Sequence, residues 1–301
     1  MKNRIYIAGC GGMLGEAFYK VFNDDFILKC TDKDVNERWL SFLDFRDVDS
    51  YRKDVEEFKP DYLFHLGAYT DLEFCELHSD DSYVTNTLAV ENAVHISNDL
   101  NIPLLYISTA GIFDGSKQFY DDWDTPNPLG VYARTKYMAE RFVCENSSRF
   151  LVCRAGWMMG AGPDKDKKFI QKLMMQMKNG MTELLIVDDK DGTPTYTHDF
   201  AKTVMKLLEK EYWGLYNVVC SGQTCRIEVA HELIKILKKE DQIKITAVHS
   251  DYFKDTYFAE RPISERLMTN KLDLRGVNQM RDWKVALDDY IDSYYQNYFD
   301  E

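Results

Sequence analysis

Tyr132 and Lys136 stand four residues apart in Tyr132-Ala133-Arg134-Thr135-Lys136, a spacing that sets a phenol and an ammonium on one face of a helix. A free tyrosine titrates near ~10. An adjacent ammonium favours the phenolate and brings the group towards neutral pH, where it can trade a proton. The pair follows the loop Asp124-Thr125-Pro126-Asn127-Pro128 and comes one strand after Ile107-Ser108-Thr109. A hydroxyl at the end of that strand can bond a carbonyl and steady a developing alkoxide, with Thr109 the first choice and Ser108 the reserve.

A proton donor of this kind is matched by a nucleotide cradle. Lys2 to Ala8 reads as a buried strand running into Gly9-Cys10-Gly11-Gly12-Met13-Leu14-Gly15. Leu14, Phe18, Val21 and Phe22 then recur at helical spacing. Strand, glycine turn and helix are the context of a dinucleotide fingerprint. Gly9 permits the tight turn, Gly12 admits the phosphates and Gly15 allows close packing. The spacing is G-x-x-G-x-x-G, with Gly11 as a further glycine. Gly9, Gly11, Gly12, Met13, Leu14 and Gly15 are therefore candidate cofactor contacts, at a helix start that favours anions. Asp32 follows a second strand, Phe26 to Cys30, and lies about 20 residues beyond the glycines. A carboxylate there accepts the ribose hydroxyls of NAD and repels a 2′-phosphate. It favours NADH over NADPH, while Lys33 and Arg38 lie close enough to pair with that phosphate and keep NADPH open. A nicotinamide cofactor and an acidified tyrosine together point to hydride transfer at a carbonyl.

The elements that must hold these groups alternate. Strands at Asp61–Leu66, Pro103–Ile107 and Phe150–Arg154 are separated by helices at Asn86–Leu100 and Tyr132–Cys144, the pattern of a doubly wound parallel sheet. Beyond Gly160-Ala161-Gly162-Pro163, amphipathic helices at Lys167–Asn179, Asp199–Lys210 and Arg226–Glu240 are joined by strands at Leu184–Val187 and Gly214–Val219. The fold class predicted is α/β, a doubly wound (Rossmann) sheet with a smaller mixed α/β C-terminal substrate lobe. The dinucleotide domain spans 1–157 with 192–219 returning to it, and 158–191 with 220–301 form the lobe. The tail from Asp282 places its aromatics at helical spacing, as a face packed onto the body.

The bulk properties exclude several classes. The chain has 301 residues, 45% hydrophobic, with a net charge of −13, which argues against a general nucleic-acid or membrane-surface binder. No apolar stretch approaches about 18 residues, and Met-Lys-Asn-Arg runs directly into a strand, so neither a membrane span nor a signal peptide is expected. Seven cysteines without a C-x-x-C pair fit reduced thiols in a cytoplasmic protein. The six histidines form no metal pattern, since His231-Glu232 is followed by Lys235 where a second histidine would be needed.

The chain resembles the extended short-chain dehydrogenase/reductases, and more closely the dTDP-4-dehydrorhamnose reductase family. The resemblance rests on the glycine turn, Pro60-Asp61, Gly67-Ala68-Tyr69-Thr70-Asp71, Ser108-Thr109-Ala110-Gly111-Ile112-Phe113-Asp114-Gly115, Tyr132 with Lys136, Arg154-Ala155-Gly156-Trp157 and Gly192-Thr193-Pro194-Thr195. It implies hydride delivery to C4 of a 4-keto nucleotide-activated deoxysugar, with Tyr132 giving the proton. Lys136 would hold the ribose and tune Tyr132, and Thr109 would orient the carbonyl. By the same resemblance Asp44 and Phe45 lie along the adenine, and Leu66, Gly67, Ala68 and Tyr69 line the cofactor's path. Thr70, Ser108, Ala110 and Trp157 face the substrate, and Asn86 matches a superfamily asparagine at a helix start. The superfamily commonly forms homodimers. One residue departs from the family, which usually has Asp after the catalytic Thr where this chain has Ala110. Ala110-Gly111 cannot supply the acid/base pair of a dehydratase or the thiol of a 3,5-epimerase. A nucleotide-sugar 4-epimerase with tightly bound NAD, and a non-catalytic nucleotide-binding regulatory subunit, are the alternatives.

Overall fold

Ile5 and Ile7 join one apolar cluster while Tyr6 and Ala8 join another. That alternation, with both sides buried, places the segment at the centre of a covered parallel sheet. The computed structural model describes residues 2–299. Its first six strands are β1 (Arg4–Ala8), β2 (Ile27–Asp32), β3 (Leu40–Phe42), β4 (Tyr62–His65), β5 (Leu104–Thr109) and β6 (Phe150–Ala155). Four short strands follow, β7 (Trp157–Met159), β8 (Glu183–Val187), β9 (Asp191–Gly192) and β10 (Pro194–Tyr196). The chain then supplies β11 (Gly214–Asn217), β12 (Thr224–Cys225) and β13 (Lys244–Val248). The central sheet is parallel throughout, in the order β11-β6-β5-β4-β1-β2-β3. Strand order therefore reverses between β1 and β4, which opens a crevice at the carboxyl ends of the strands.

Helices cover both faces. Met13–Phe22 and Thr197–Glu209 pack on one side, where Phe18 meets Phe200 edge to face at 6.4 Å. Val48–Phe58, Ala89–Asp99 and Val131–Asn146 cover the other. The remaining strands pair outside the central sheet, β7 with β10 and β8 with β13 in parallel, and β9 with β12 antiparallel. The C-terminal helix Trp283–Tyr294 buries Trp283, Leu287, Tyr290 and Ile291, the aromatic face expected of the tail. Tyr290 donates to Asp166 Oδ2 at 2.8 Å. At the Gly160–Pro163 turn, Gly162 has φ +68°, and a Cβ there would meet the Tyr294 ring at 2.8 Å. Among the described residues, no helix is long and apolar enough to cross a membrane.

Two expectations are corrected. Asn86 does not open a helix: it lies in a π-turn, Val84–Leu88, between the helices Ser79–Tyr83 and Ala89–Asp99. The polar run Ser79-Asp80-Asp81-Ser82 conceals this earlier helical start because it lacks apolar periodicity. Strand β13 was not expected either. Its Lys244-Ile245-Thr246-Ala247-Val248 sequence is short and lies half-exposed at an edge.

The helix carrying Tyr132 is anchored by charge. Glu140 accepts from Arg154 Nε at 3.0 Å and from Nη2 at 2.6 Å, with both side chains nearly inaccessible. Removing one partner of such a pair strands the other in low dielectric. Arg154→Met should lower unfolding free energy in urea by about 3–5 kcal/mol, while Arg141→Ala, whose bond to Glu145 is exposed, should leave the midpoint unchanged.

Candidate active site

The crevice is a single cleft of about 1310 Å³, larger than the roughly 300–1,000 Å³ of a pocket for one small molecule. Its floor is the glycine turn. Gly9 and Cys10 both donate their N–H to Thr31 O at 2.9 Å, which ties the turn to β2. Gly9 has φ +74°, and a Cβ there would strike Gly67 Cα at 2.3 Å. On Gly15 a Cβ would come within 2.0 Å of Cys10 O, whereas around Gly12 nothing lies within 4 Å. The helix Met13–Phe22 starts at Gly12 without a side-chain cap, so its first N–H groups are free for an anion. Gly11, Met13 and Leu14 line the same wall.

Asp32 closes one side of this cradle. Its Oδ2 accepts from Gly11 N at 2.8 Å and its Oδ1 from Asp34 N at 3.0 Å. A carboxylate has about four acceptor positions, so each oxygen keeps one for a ligand. Asp44 pairs with Arg46, which holds its carboxyl below the usual range. Arg46 also donates to the Tyr69 hydroxyl at 3.3 Å. Phe45 lies against Gly67, where a Cβ would overlap its ring at 2.1 Å. Leu66, Ala68 and Tyr69 continue the wall. Asn86 holds that loop in register. It accepts from Tyr69 N at 2.8 Å, donates to Tyr69 O at 3.1 Å and donates to Thr135 Oγ1 at 3.2 Å. One side chain thereby joins the cofactor loop to the Tyr132 helix, and a π-turn at such a place is a frequent companion of function.

Thr109 ends β5, and Tyr132 and Lys136 occupy the first turns of Val131–Asn146; all three line the cleft. The start of that helix is fixed by Glu76, whose Oε1 accepts from Val131 N at 2.6 Å. A Cβ on Gly130 would come as close to the same oxygen, at 2.6 Å. Burial pushes the Tyr132 phenol up to about 12, and hydrogen bonding with Thr109 draws it back in part. Lys136 donates to Ile107 O at 2.7 Å and lies 4.2 Å over the Tyr106 ring. Its ammonium is thus held by a backbone carbonyl, and the lowering of Tyr132 expected from Lys136 is not what governs the phenol here. Ser108 is buried beside them, and its hydroxyl has no hydrogen-bond partner among the described residues.

The substrate side differs from expectation at one residue. Ala110 is not on the cleft wall: it packs with Ile112, Phe113 and Leu267 because the 3₁₀ turn Ala110–Ile112 rotates its Cβ into the core. Gly111 takes the exposed position instead. Thr70 receives Lys168 Nζ on its carbonyl at 3.1 Å and on Oγ1 at 3.0 Å. Trp157 faces the cleft with Arg226 stacked 3.6 Å from its ring centroid, and its indole donates to Glu265 Oε2 at 2.8 Å. Gly192 lies against this indole, where a Cβ would overlap it at 2.1 Å. Glu76, Arg226, Arg261 and Glu265 were not recognised from sequence; the last three arrive from segments without a spacing motif. Lys168, Lys172, Lys190 and Arg226 bring basic groups to the far wall, where Arg261 is paired with Glu73 at 2.8 Å, although the chain as a whole is acidic.

Burial brings the Lys136 ammonium down from 10.5 to about 7, with Glu140 opposing the shift. Between those values the unfolded chain binds a proton that the folded protein does not, so folding stability rises with pH there. Below about pH 7 both states are charged and the burial penalty is complete. Lys136→Met should therefore raise the melting temperature most below pH 7 and by little near pH 10.5. Thermal melts across that range check this.

Residues 2–296 match the family described as the RmlD substrate binding domain. The dTDP-4-dehydrorhamnose reductase of Aggregatibacter actinomycetemcomitans is 27% identical, over 94% of this chain and 97% of its own length. The crystal structure of dTDP-4-dehydrorhamnose reductase from Bacillus anthracis str. Ames in complex with NADP superposes with a TM-score of 0.88. It is 27% identical and covers 97% of this chain and 100% of that one. Methionine adenosyltransferase 2 subunit beta of Danio rerio is also 27% identical, over 91% of this chain and 85% of its own. With a match running nearly end to end over a parallel sheet and cleft of this form, the chain belongs to the RmlD substrate binding domain family.

Proposed function

We propose that this protein reduces the 4-keto group of a nucleotide-activated deoxysugar, in the manner of a dTDP-4-dehydrorhamnose reductase. The observation that carries the reading is the meeting of Thr109, Tyr132 and Lys136 in the same cleft as the uncapped glycine turn. The glycine cradle, Asp32 and the Leu66–Tyr69 loop are suited to hold a nicotinamide dinucleotide, which supplies a hydride when bound. Thr109 donates its hydroxyl to the carbonyl oxygen and steadies the charge that develops there. Tyr132 delivers the proton to that oxygen; as a phenol raised to about 12 it is fully protonated at neutral pH and ready as the acid. Lys136 gives one proton to the Ile107 carbonyl and has the rest of its donor capacity for a ribose hydroxyl and the phenol. The positive far wall suits the pyrophosphate of the substrate, and 158–191 with 220–301 serve as its lobe.

NADH is the preferred reductant in this reading. Asp32 and Asp34 stand together where a 2′-phosphate would need a cation, and Arg46 is already neutralised by Asp44. Lys33 lies 5.1 Å over the Tyr69 ring, and Lys165 is paired with Glu37 at 3.0 Å. Asp32→Asn should raise the KM for NADH more than that for NADPH. An equal rise in both would remove Asp32 from ribose recognition.

Reduction is tested by following NADH absorbance with a panel of 4-keto nucleotide sugars. Tyr132→Phe should keep cofactor affinity and lose about 10²–10⁴ in kcat, and near-normal turnover would remove Tyr132 from the mechanism. A 4-epimerase would carry NAD through purification and consume no reductant, which the same assay reveals.

A further inference from the structure

Glu265 belongs to an irregular segment that is nonetheless rigidly placed. Its backbone N–H donates to Asp191 O at 2.9 Å, Ser264 Oγ donates to Gln118 O at 2.8 Å, and Leu267 N donates to Thr193 Oγ1 at 3.1 Å. The side chain is just as constrained. Trp157 Nε1 holds Oε2, and the guanidinium of Arg226 covers the other side of that indole. Oε1 receives no hydrogen bond among the described residues. It points to the open face of Gly111, 3.8 Å from where a Cβ would stand. The same point is 3.5 Å from Thr109 Oγ1 and 4.0 Å from Tyr132 Cε1. A carboxylate oxygen thus borders the space that a carbonyl must enter to reach Thr109 and Tyr132.

Burial raises the Glu265 carboxyl above its ordinary range, and Arg226, Trp157, Arg261 and Lys190 all act against that rise. The side chain is half-buried and this oxygen is open to the cleft, where a ligand that displaces solvent must bring a donor in its place. Sugar hydroxyls are the donors that a nucleotide sugar brings to this place. The family's usual carboxylate after the catalytic Thr is absent here, and residue 110 faces the core in any case. Glu265 brings a carboxylate to the reacting end of the cleft from a different segment of the chain.

Resting on the reading of the cleft as a nucleotide-sugar site, we propose that Glu265 Oε1 accepts a hydrogen bond from a ring hydroxyl on a carbon beside the one reduced. Glu265 is then the residue that determines which sugar is accepted. The site selects a free hydroxyl at that position and rejects sugars that lack it or carry a carboxylate there, where the two negative charges would repel.

Calorimetric titration of the purified protein with dTDP and with dTDP-rhamnose tests this. In Glu265→Gln the amide oxygen takes the indole hydrogen bond and the NH₂ faces the cleft, so the acceptor is lost with little change of shape. The variant should bind dTDP as the native protein does and bind dTDP-rhamnose about 10- to 100-fold more weakly, the range for a hydrogen bond to a charged group. With 4-keto substrate the loss should appear chiefly in KM, with NADH affinity unaltered. A nucleotide sugar lacking the neighbouring hydroxyl, titrated into native protein, should lose the same factor and needs no variant. Unchanged affinity for dTDP-rhamnose in the variant, or equal weakening of dTDP, overturns the proposal. Native protein that binds neither ligand would instead overturn the reading of function on which it rests.

Discussion

A lysine ammonium sealed beneath the end of β5 and held by the Ile107 carbonyl at 2.7 Å is the constraint around which the reacting end is built. Burying that charge costs stability, and it can stay only if the helix carrying it cannot move away. Five contacts meet the demand. Tyr106 donates its hydroxyl to Lys136 O at 3.1 Å, and Thr87 donates to Thr135 O at 2.9 Å. Asn86 reaches Thr135 Oγ1, Glu76 receives the first N–H of the helix, and Glu140 is clamped by Arg154. They come from four elements, Asn86 and Thr87 sharing the π-turn Val84–Leu88. The helix Val131–Asn146 is thus fixed along its inner face, and Tyr132 is fixed with it.

The same arrangement explains how local and distant residues share one task. Asn86 is far from Tyr132 in sequence, yet it binds both backbone groups of Tyr69 on one wall of the cleft and Thr135 on the other. A single buried amide thus ties the two walls together. Gly9 and Gly67 make an equivalent link beneath the cradle, since neither position leaves space for a Cβ. Gly9 is held to glycine by the close approach of the chain beyond β1 and β4 where strand order reverses, and Gly67 by the Phe45 ring that lies against it.

The half of the site built on β1 to β6 was legible because its chemistry lies at strand ends with regular spacing. The glycine turn, Asp32, Thr109, Tyr132 and Lys136 all fall at predictable distances from buried apolar runs, and all line the cleft. What spacing could not reveal was the state of these groups. A separation of four positions between Tyr132 and Lys136 specifies one helix face, but the Ile107 carbonyl, which competes for the ammonium, comes from a separate strand. The direction of the Ala110 side chain was hidden for a similar reason: a 3₁₀ turn after β5 exchanges the facing of residues 110 and 111. Glu265 and Arg226 left no local signal at all. They converge on Trp157 only through long-range hydrogen bonds such as Glu265 N to Asp191 O.

Net charge also proves a poor guide to what the cleft prefers. A chain of −13 overall places Lys168, Lys172, Lys190 and Arg226 along one wall. Burial lowers the Lys168 ammonium and brings Arg226 down to about 10, so these cations are partly desolvated before any ligand arrives. An incoming phosphate would return to them the partner that water no longer provides, at short range and weakly screened.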